Sequence, residues 1–571
     1  MDGLYTCIKG GFNFFVSQVA LMLFVISPPL TAQTSGIDTG VSFEIRHLFE
    51  VLQDDSSAGL AGMRLSNLDQ ALEFYSDRGF REAWISDDRL TCNAYEIRYL
   101  IQQSKYDGLK PEEYQLASIN EFFEKMEQAG RTGIAVTPME QARFDVILSD
   151  AFLELGSHIY LGKVDASHSD FGWELKKKEP KKQVLTKLKR AVEGCEVRKS
   201  LEALYPAFPM YKRMRSSMME FYEKAKHSPS SWEQLAVIKS IKPYEEHRIV
   251  TKVRERLDFW EGTTSIPMDD PEWYDTLLVQ RVEKYQQQLG LNPDGVIGNA
   301  TLRALNKRPE DLIKQVSVNL ERLRWLPDTT LNEVILVNIA NFSMDYIRDR
   351  DTLLHSNAIV GKAYRKTPVF NAPMTYLVFS PTWTVPPTIL RNDVLPAVKK
   401  NVGYLKSKNM RILTYSGQEV DPHSIDWSKI TANNFPYMVR QDPGPSNSLG
   451  WVKFMFPNKH NVYIHDTPSR ELFGRDDRAL SSGCIRIEKP LELARLLLAD
   501  QPLWSDDRIR SSMFGGKEQT VMLKRQIPVV ILYLTFWTDS LGNPKIRHDL
   551  YDRDEALYRA LNQSIVLKSG A

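Results

Sequence analysis

Three short motifs follow one another closely in the sequence: HDTP at residues 465–468, FGR at residues 473–475 and SSGCIR at residues 481–486. A cysteine attacks carbonyl carbons well only as a thiolate, so it needs a base or a pKa-lowering environment. His465 stands at the end of an alternating segment, 461–465, in which Val462 and Ile464 point one way and Tyr463 and His465 the other. If the intervening loop folds back, His465 can reach Cys484 as its base.

The residues around the cysteine fit acyl transfer. Gly483 allows a substrate carbonyl to approach closely, and the backbone N–H groups of Gly483 and Cys484 are candidate donors to an oxyanion. Arg486 places positive charge nearby, which favours the thiolate and binds a carboxylate. Taken singly, a cysteine is usually a small buried hydrophobe and a histidine a structural residue. Only the complete string favours catalysis.

That string resembles the active-site signature of the YkuD-type L,D-transpeptidases, in its YcbB-like subgroup. Ser482 stands where the commonest form of the signature has a second histidine. Further similarities run from about residue 332 to the C-terminal region, and include VGK at 360–362, KTP at 366–368, PTW at 381–383 and VKF at 452–454.

The resemblance implies roles for particular residues. It makes Cys484 the nucleophile, His465 the general base and later acid, and Gly483 part of the catalytic turn. It implies that a backbone carbonyl, that of Asp466, orients the imidazole, although the Asp466 carboxylate is an alternative. Substrate-binding candidates are Arg486, Ser482, Tyr463 and Trp383, and for Trp383 core packing is an equal alternative.

The resemblance also implies a reaction. Cys484 would form a thioester with the third residue of a donor stem tetrapeptide and release D-Ala, and the amine of a neighbouring third residue would then close the cross-link. The same thioester with water as acceptor gives an L,D-carboxypeptidase, and a non-catalytic wall-binding scaffold is a further alternative. No cofactor is expected. Metal catalysis is disfavoured because no metal-binding motif is present and His460 and His465 would face opposite sides of a strand.

Upstream of the catalytic region, residues 274–306 resemble a small three-helix peptidoglycan-binding module, with a DGVIG turn at 294–298 between helical segments. A plain helical hairpin is the alternative. Residues 33–265 have helical apolar spacing, as in 143–160. From residue 326 the period changes toward two, which predicts strands such as 334–340, 353–360, 374–379 and 453–456.

The chain has 571 residues and a formal charge of +1, which predicts several domains and gives no support for a nucleic-acid partner. We expect an α+β multidomain protein: a signal peptide or membrane anchor (1–32), a helical scaffold (33–265), a peptidoglycan-binding module (266–310), a β-rich catalytic domain (330–540) with a capping insertion (386–450), and a C-terminal tail (541–571).

The apolar run 12–30 predicts export to the periplasm, with cleavage or anchoring both open. The expected partners are peptidoglycan stem peptides and glycan, and the expected state is a monomer. Cys7 lies in the export segment, and sequence leaves open whether Cys92 and Cys195 form a disulfide.

Overall fold

Hydrophobic side chains gather in four clusters, the largest of which joins the C-terminal sheet with residues of the helical N-terminal region. The computed structural model describes residues 40–54, 65–168, 172–175, 178, 182–236, 239–264, 269–327, 332–431 and 433–563. The expected fold class is confirmed: a helical N-terminal region, a helical module and a β-rich catalytic region. The predicted export segment, 1–32, lies outside the described residues. Within the described ranges no helix is both long and apolar enough to span a bilayer.

The N-terminal scaffold is built around one long helix, Pro138–Leu161. Thr137 and Glu140 form a capping box at its start, with Pro138 in the first turn, where its missing N–H costs nothing. Cys92 and Cys195 are joined by a disulfide, which resolves the open pairing. The other scaffold helices are Gly40–Asp54, Leu68–Asp77, Cys92–Gln103, Leu116–Thr132, Lys182–Glu193, Val197–Glu202 and Pro209–Lys226. This region also contains the short 3-10 turns Ser104–Asp107 and Pro111–Tyr114 and the strands Ile85–Ser86 and Arg89–Leu90.

The peptidoglycan-binding module consists of the helices Ile249–Glu261, Thr276–Leu289 and Asn299–Leu305. Asp275 caps the second helix by accepting the Leu278 N–H at 2.9 Å. The predicted boundary at residue 266 gave the first helix to the scaffold. The structure instead packs Val250, Val253 and Leu257 of that helix against the second and third, so the module begins before residue 266.

The catalytic region is a sheet that closes on itself. Neighbouring strands follow the order Val452–Met455, Ile464–His465, Ile485–Ile487, Asp351–Gly361, Ser343–Arg348, Glu333–Asn338, Gln519–Leu532 and Val369–Phe379, and the last pairs again with the first. Each predicted strand overlaps one strand of this sheet; the predicted strands are 334–340, 353–360, 374–379 and 453–456. Two further strands join the sheet: Ala479–Ser481 pairs with Asp351–Gly361, and Trp173–Glu174 from the scaffold pairs with Val369–Phe379.

Helices and short elements cover this sheet. Pro309–Arg324 connects the module to the sheet and is buried along most of its length. Residues 541–571, predicted as a tail, contain the helix Asp554–Asn562, whose Leu557 and Leu561 enter the main core. The remaining elements of this region are the 3-10 turn Arg470–Gly474, the helices Pro490–Leu498 and Asp506–Phe514, and the strands Phe536–Thr538 and Pro544–Ile546.

The insertion at 386–450 folds around its own small core, which includes Trp383, Val394, Ile412 and Phe435. Its strands are Trp383–Thr384, Met410–Leu413, Glu419–Val420 and Met438–Gln441; its helical segments are Pro387–Ile389, Leu390–Val394, Leu395–Lys400, Gly403–Ser407 and Pro422–Ser424.

Candidate active site

Two neighbouring parallel strands position the histidine and the cysteine: Ile464–His465 ends on His465, and Ile485–Ile487 begins directly after Cys484. Ile464 lies opposite Ile485 and His465 opposite Arg486, and the Ile485 N–H donates to the Tyr463 carbonyl at 3.1 Å. Ile464 and Ile485 enter the main core. Because side chains alternate along a strand, His465 and Arg486 share the opposite face, and Tyr463 and Cys484 directly precede the two strands. The paired strand is shorter than the predicted segment 461–465, since Asn461 adopts a left-handed turn conformation (φ 54°).

The backbone carbonyl of Asp466 fixes the imidazole of His465. The His465 Nδ1 lies 2.6 Å from that carbonyl oxygen, which can only accept, so Nδ1 carries the proton of the neutral ring. The Leu449 carbonyl is a second backbone acceptor at this imidazole. The Asp466 carboxylate is engaged elsewhere, accepting from the Trp451 N–H at 2.9 Å and from Arg470 at 3.2 Å. Of the two contacts left open by the sequence, the structure has the carbonyl.

The electrostatics keep His465 neutral. Burial lowers the pKa of His465 to about 3, and the positive charge of Arg486 adds to this shift. At neutral pH the imidazole is therefore uncharged, with a proton on Nδ1 only, and in this form it can accept a second proton.

The thiol of Cys484 is free and half-buried. The sulfur lies 4.0 Å from the carbonyl oxygen of Asn461. The backbone and hydroxyl of Tyr463 lower the pKa of the thiol as hydrogen-bond donors, and the Trp383 side chain lowers the pKa of Tyr463 in the same way. Burial raises the pKa of the Cys484 thiol, although the Tyr463 hydrogen bonds and the charge of Arg486 oppose the shift. The charge of Arg486 therefore acts in the expected direction, but burial outweighs it.

The turn before the cysteine contains a backbone conformation that glycine adopts more readily than other residues. Gly483 has φ 119°, a backbone region that residues with a side chain rarely occupy. The Ser481 Oγ accepts the Gly483 N–H at 3.1 Å and donates to the Cys484 carbonyl at 2.6 Å, while the Thr367 hydroxyl donates to the Gly483 carbonyl at 2.9 Å. The Gly483 N–H, a predicted oxyanion donor, is thus already engaged. The Cys484 N–H has no hydrogen bond within the described part of the chain.

The remaining predicted residues lie around this turn. Arg486 makes no ion pair among the described residues, and burial lowers its pKa. The Ser482 hydroxyl accepts from Arg365 at 2.8 Å, and Arg365 also pairs with Asp393 of the insertion at 2.8 Å. Trp383 is 8% exposed and packs in the insertion core, so its packing and its contact with Tyr463 coexist.

Sequence reasoning assigned no role to several residues of the site. Ser481 and Thr367 hold the catalytic turn, and Lys453 lies opposite His465 across an antiparallel pair. Thr367 and Lys453 belong to the KTP and VKF motifs noted above, which was the available signal. Within the described ranges, no group of three or more His, Cys, Asp or Glu side chains is placed to hold a metal ion.

Parts of the chain are similar to known proteins. Three family models match the chain: "Scaffold domain" at residues 69–218, "Putative peptidoglycan binding domain" at 247–305 and "L,D-transpeptidase catalytic domain" at 332–524. A Haemophilus influenzae protein named "Putative L,D-transpeptidase" is 37% identical over 262 residues, which are 46% of this chain and 52% of the relative. The chain thus spans about half the length of that relative.

Two solved structures are also similar to parts of the chain. An L,D-transpeptidase from Xylanimonas cellulosilytica (residues 123–326) shares 14% identity, covering 52% of this chain and 100% of that one, with a TM-score of 0.17. L,D-transpeptidase 1 of Mycobacterium tuberculosis shares 11%, covering 35% and 61%, with a TM-score of 0.14. These TM-scores are too low to support a comparison of folds. On the family matches, the chain contains a YkuD L,D-transpeptidase catalytic domain at residues 332–524, preceded by a peptidoglycan-binding domain at residues 247–305.

Proposed function

We propose that the chain is an exported cysteine L,D-transpeptidase that cross-links the third residues of peptidoglycan stem peptides. One observation carries the proposal: Cys484 directly precedes the strand that pairs in parallel with Ile464–His465, and the imidazole of His465 is held in its Nδ1–H form by the Asp466 carbonyl. A nucleophile and a base whose orientation is fixed by a third group are the parts that covalent acyl transfer requires.

In the acylation half, the Cys484 thiol gives its proton to Nε2 of His465 while its sulfur attacks the carbonyl carbon of the third residue of a donor tetrapeptide. The Cys484 N–H is the backbone donor available to the oxyanion. When the intermediate collapses, the C–N bond to the terminal D-Ala breaks and the departing amine takes the proton from the imidazolium. A thioester on Cys484 remains.

In the second half, the side-chain amine of the third residue in a neighbouring stem attacks the thioester and transfers a proton to His465. The C–S bond breaks, the imidazolium returns the proton to sulfur, and an amide cross-link is left. The unpaired guanidinium of Arg486 is the proposed receptor for a substrate carboxylate. The insertion at 386–450 is the proposed cap that excludes water and so favours aminolysis over hydrolysis.

The proposed site of action is the periplasm. The Cys92–Cys195 disulfide supports this placement, because structural disulfides form and persist in oxidising compartments. Fractionation of cells that express the full chain, followed by immunoblotting, tests it, and recovery in the cytoplasm would contradict it.

Incubation of the purified protein with tetrapeptide muropeptides tests the reaction, with product masses as the readout. Dimer with free D-Ala is the expected result, together with a covalent carbapenem adduct on Cys484, and neither should form in Cys484→Ala. Trimmed monomer alone would identify a carboxypeptidase. Unchanged substrate with a correctly folded protein would identify a wall-binding scaffold.

A further inference from the structure

A cavity of about 480 Å³ lies between the peptidoglycan-binding module and the catalytic domain. Its apolar wall comes from both sides: Leu289, Leu291 and Ala304 of the module, and Phe342 and Ile546 of the catalytic region. The volume falls within the range of pockets that bind small ligands, which is roughly 300–1,000 Å³. Both domains are therefore needed to complete the cavity.

Specific contacts hold the two sides of the cavity in place. Arg547 of the catalytic region donates to the Gln288 carbonyl of the module at 2.9 Å and to Asn341 at 2.8 Å. The Asn292 N–H of the module donates to Asp476 at 3.0 Å. Gly290 has φ 71°, and a Cβ there would lie 2.3 Å from Cζ of Arg547. The docking thus depends on a glycine, and the cavity is preformed.

Charges of both signs line the cavity without pairing with each other. Lys307 and Arg547 are its half-buried cations, Asp476 and Asp477 are its acidic residues, and Arg303 and His548 are exposed on its wall. Lys307 donates to Gln315 at 2.6 Å, and Lys307, Arg547, Asp476 and Asp477 form no ion pair among the described residues. Burial lowers the pKa of Lys307, and burial with the nearby charge of Arg478 lowers the pKa of Arg547 to about 10. Asp311, Asp549 and Asp554 act on Lys307 without forming an ion pair with it, and a partly desolvated cation gains from a ligand carboxylate that contacts it directly.

We propose that this cavity is a second peptide site, which binds a stem peptide carrying carboxylates, a free ammonium group and small apolar side chains. Its carboxylates would meet Lys307 and Arg547, its ammonium group Asp476 and Asp477, and its methyl groups the apolar wall. The identity of this ligand rests on the proposed function. Asp476 and Asp477 belong to the loop between His465 and Cys484, so the site holds a stem beside the catalytic loop.

Methyl NMR on the full chain tests the proposal, with alanine and isoleucine methyl groups labelled and Cys484 alkylated to block turnover. The probe is the free tetrapeptide of L-Ala, D-Glu, a diamino acid and D-Ala. We expect the Ala304 and Ile546 resonances to shift and saturate. Lys307→Met should weaken that binding by about thirtyfold or more, as expected for the loss of one partner of a buried charge pair.

Ala304→Trp should fill the cavity and abolish the Ile546 shift, whereas Ala203→Trp, on an exposed scaffold position, controls for added bulk and should leave it. Thermal melting confirms that each variant folds. Cavity methyl groups that do not respond while the unmodified enzyme forms dimers would overturn this site and leave the proposed function standing. Saturable shifts in a protein that forms no dimers would support this site and overturn the proposed function.

Discussion

The hydroxyl of Tyr463 provides a sharp test of how the thiol is activated. As a hydrogen-bond donor it lowers the pKa of the Cys484 thiol, and a hydrogen bond to a charged acceptor contributes about 1.5–3 kcal/mol. Since one pKa unit corresponds to about 1.36 kcal/mol, Tyr463→Phe should raise the pKa of Cys484 by roughly one to two units. The phenyl ring keeps the packing, so the change isolates the donor.

The assay is the rate of iodoacetamide alkylation of Cys484 across neutral to alkaline pH, followed by mass spectrometry of the Cys484 peptide. The midpoint of the rate profile gives the thiol pKa. Tyr558→Phe, in the C-terminal helix, is the matched control and should leave the midpoint unchanged. Loss of the hydroxyl also removes the acceptor of the Trp383 hydrogen bond, so the melting temperature is measured alongside. An unchanged midpoint in folded Tyr463→Phe would show that the Tyr463 hydroxyl does not lower the pKa of the Cys484 thiol.

Other properties of the chain can be tested separately. Because burial lowers the pKa of His465 to about 3, kcat/KM should not fall as pH drops through about 6.5, the ordinary histidine value; an acid limb near that value would contradict this. Because His465 binds a proton more readily in the unfolded chain than in the folded one, the free energy of unfolding should be highest above about pH 6.5 and should fall as pH drops toward the pKa of the folded state. Acid titration of the unfolding free energy in wild type and His465→Gln would measure this. Gly483→Ala should reduce kcat while the protein stays folded, since the nearest atom to a Cβ would be 3.8 Å away and only the backbone conformation, about 1–3 kcal/mol, opposes the change; full activity would show that the conformation is dispensable. Cys92→Ser with Cys195→Ser should lower scaffold stability by about 4–5 kcal/mol, since the bridge spans 103 residues, and denaturant unfolding with an unchanged midpoint would argue against it.

The sequence predicted those parts of the fold that depend on local patterns. The helix around 143–160 and the strand around 374–379 follow from apolar spacing and appear in the structure with shifted ends. The pairing of Trp173–Glu174 with Val369–Phe379 could not be read in this way. It joins residues almost two hundred positions apart, and no periodicity encodes such a contact.

The candidate site shows the same division. Cys484 and His465 stand out because their chemistry needs few neighbours to be recognised. The engagement of the Gly483 N–H by Ser481 depends on a turn whose geometry appears only after folding. Likewise, the net rise in the Cys484 pKa is a balance between burial and charge, and a sequence gives the charge without the burial.

The scaffold strand Trp173–Glu174 has a practical consequence for dissecting the protein. A fragment that starts near residue 332 would leave Val369–Phe379 without the neighbour it has in the intact chain. It would also lose Tyr211 and Met214 of a scaffold helix and the helix Pro309–Arg324, all of which pack into the catalytic core. Unsatisfied strand edges and bared apolar surface promote self-association. Expression trials of such a fragment should therefore give aggregates. The smallest fragment that does not aggregate should retain the helical half of the molecule.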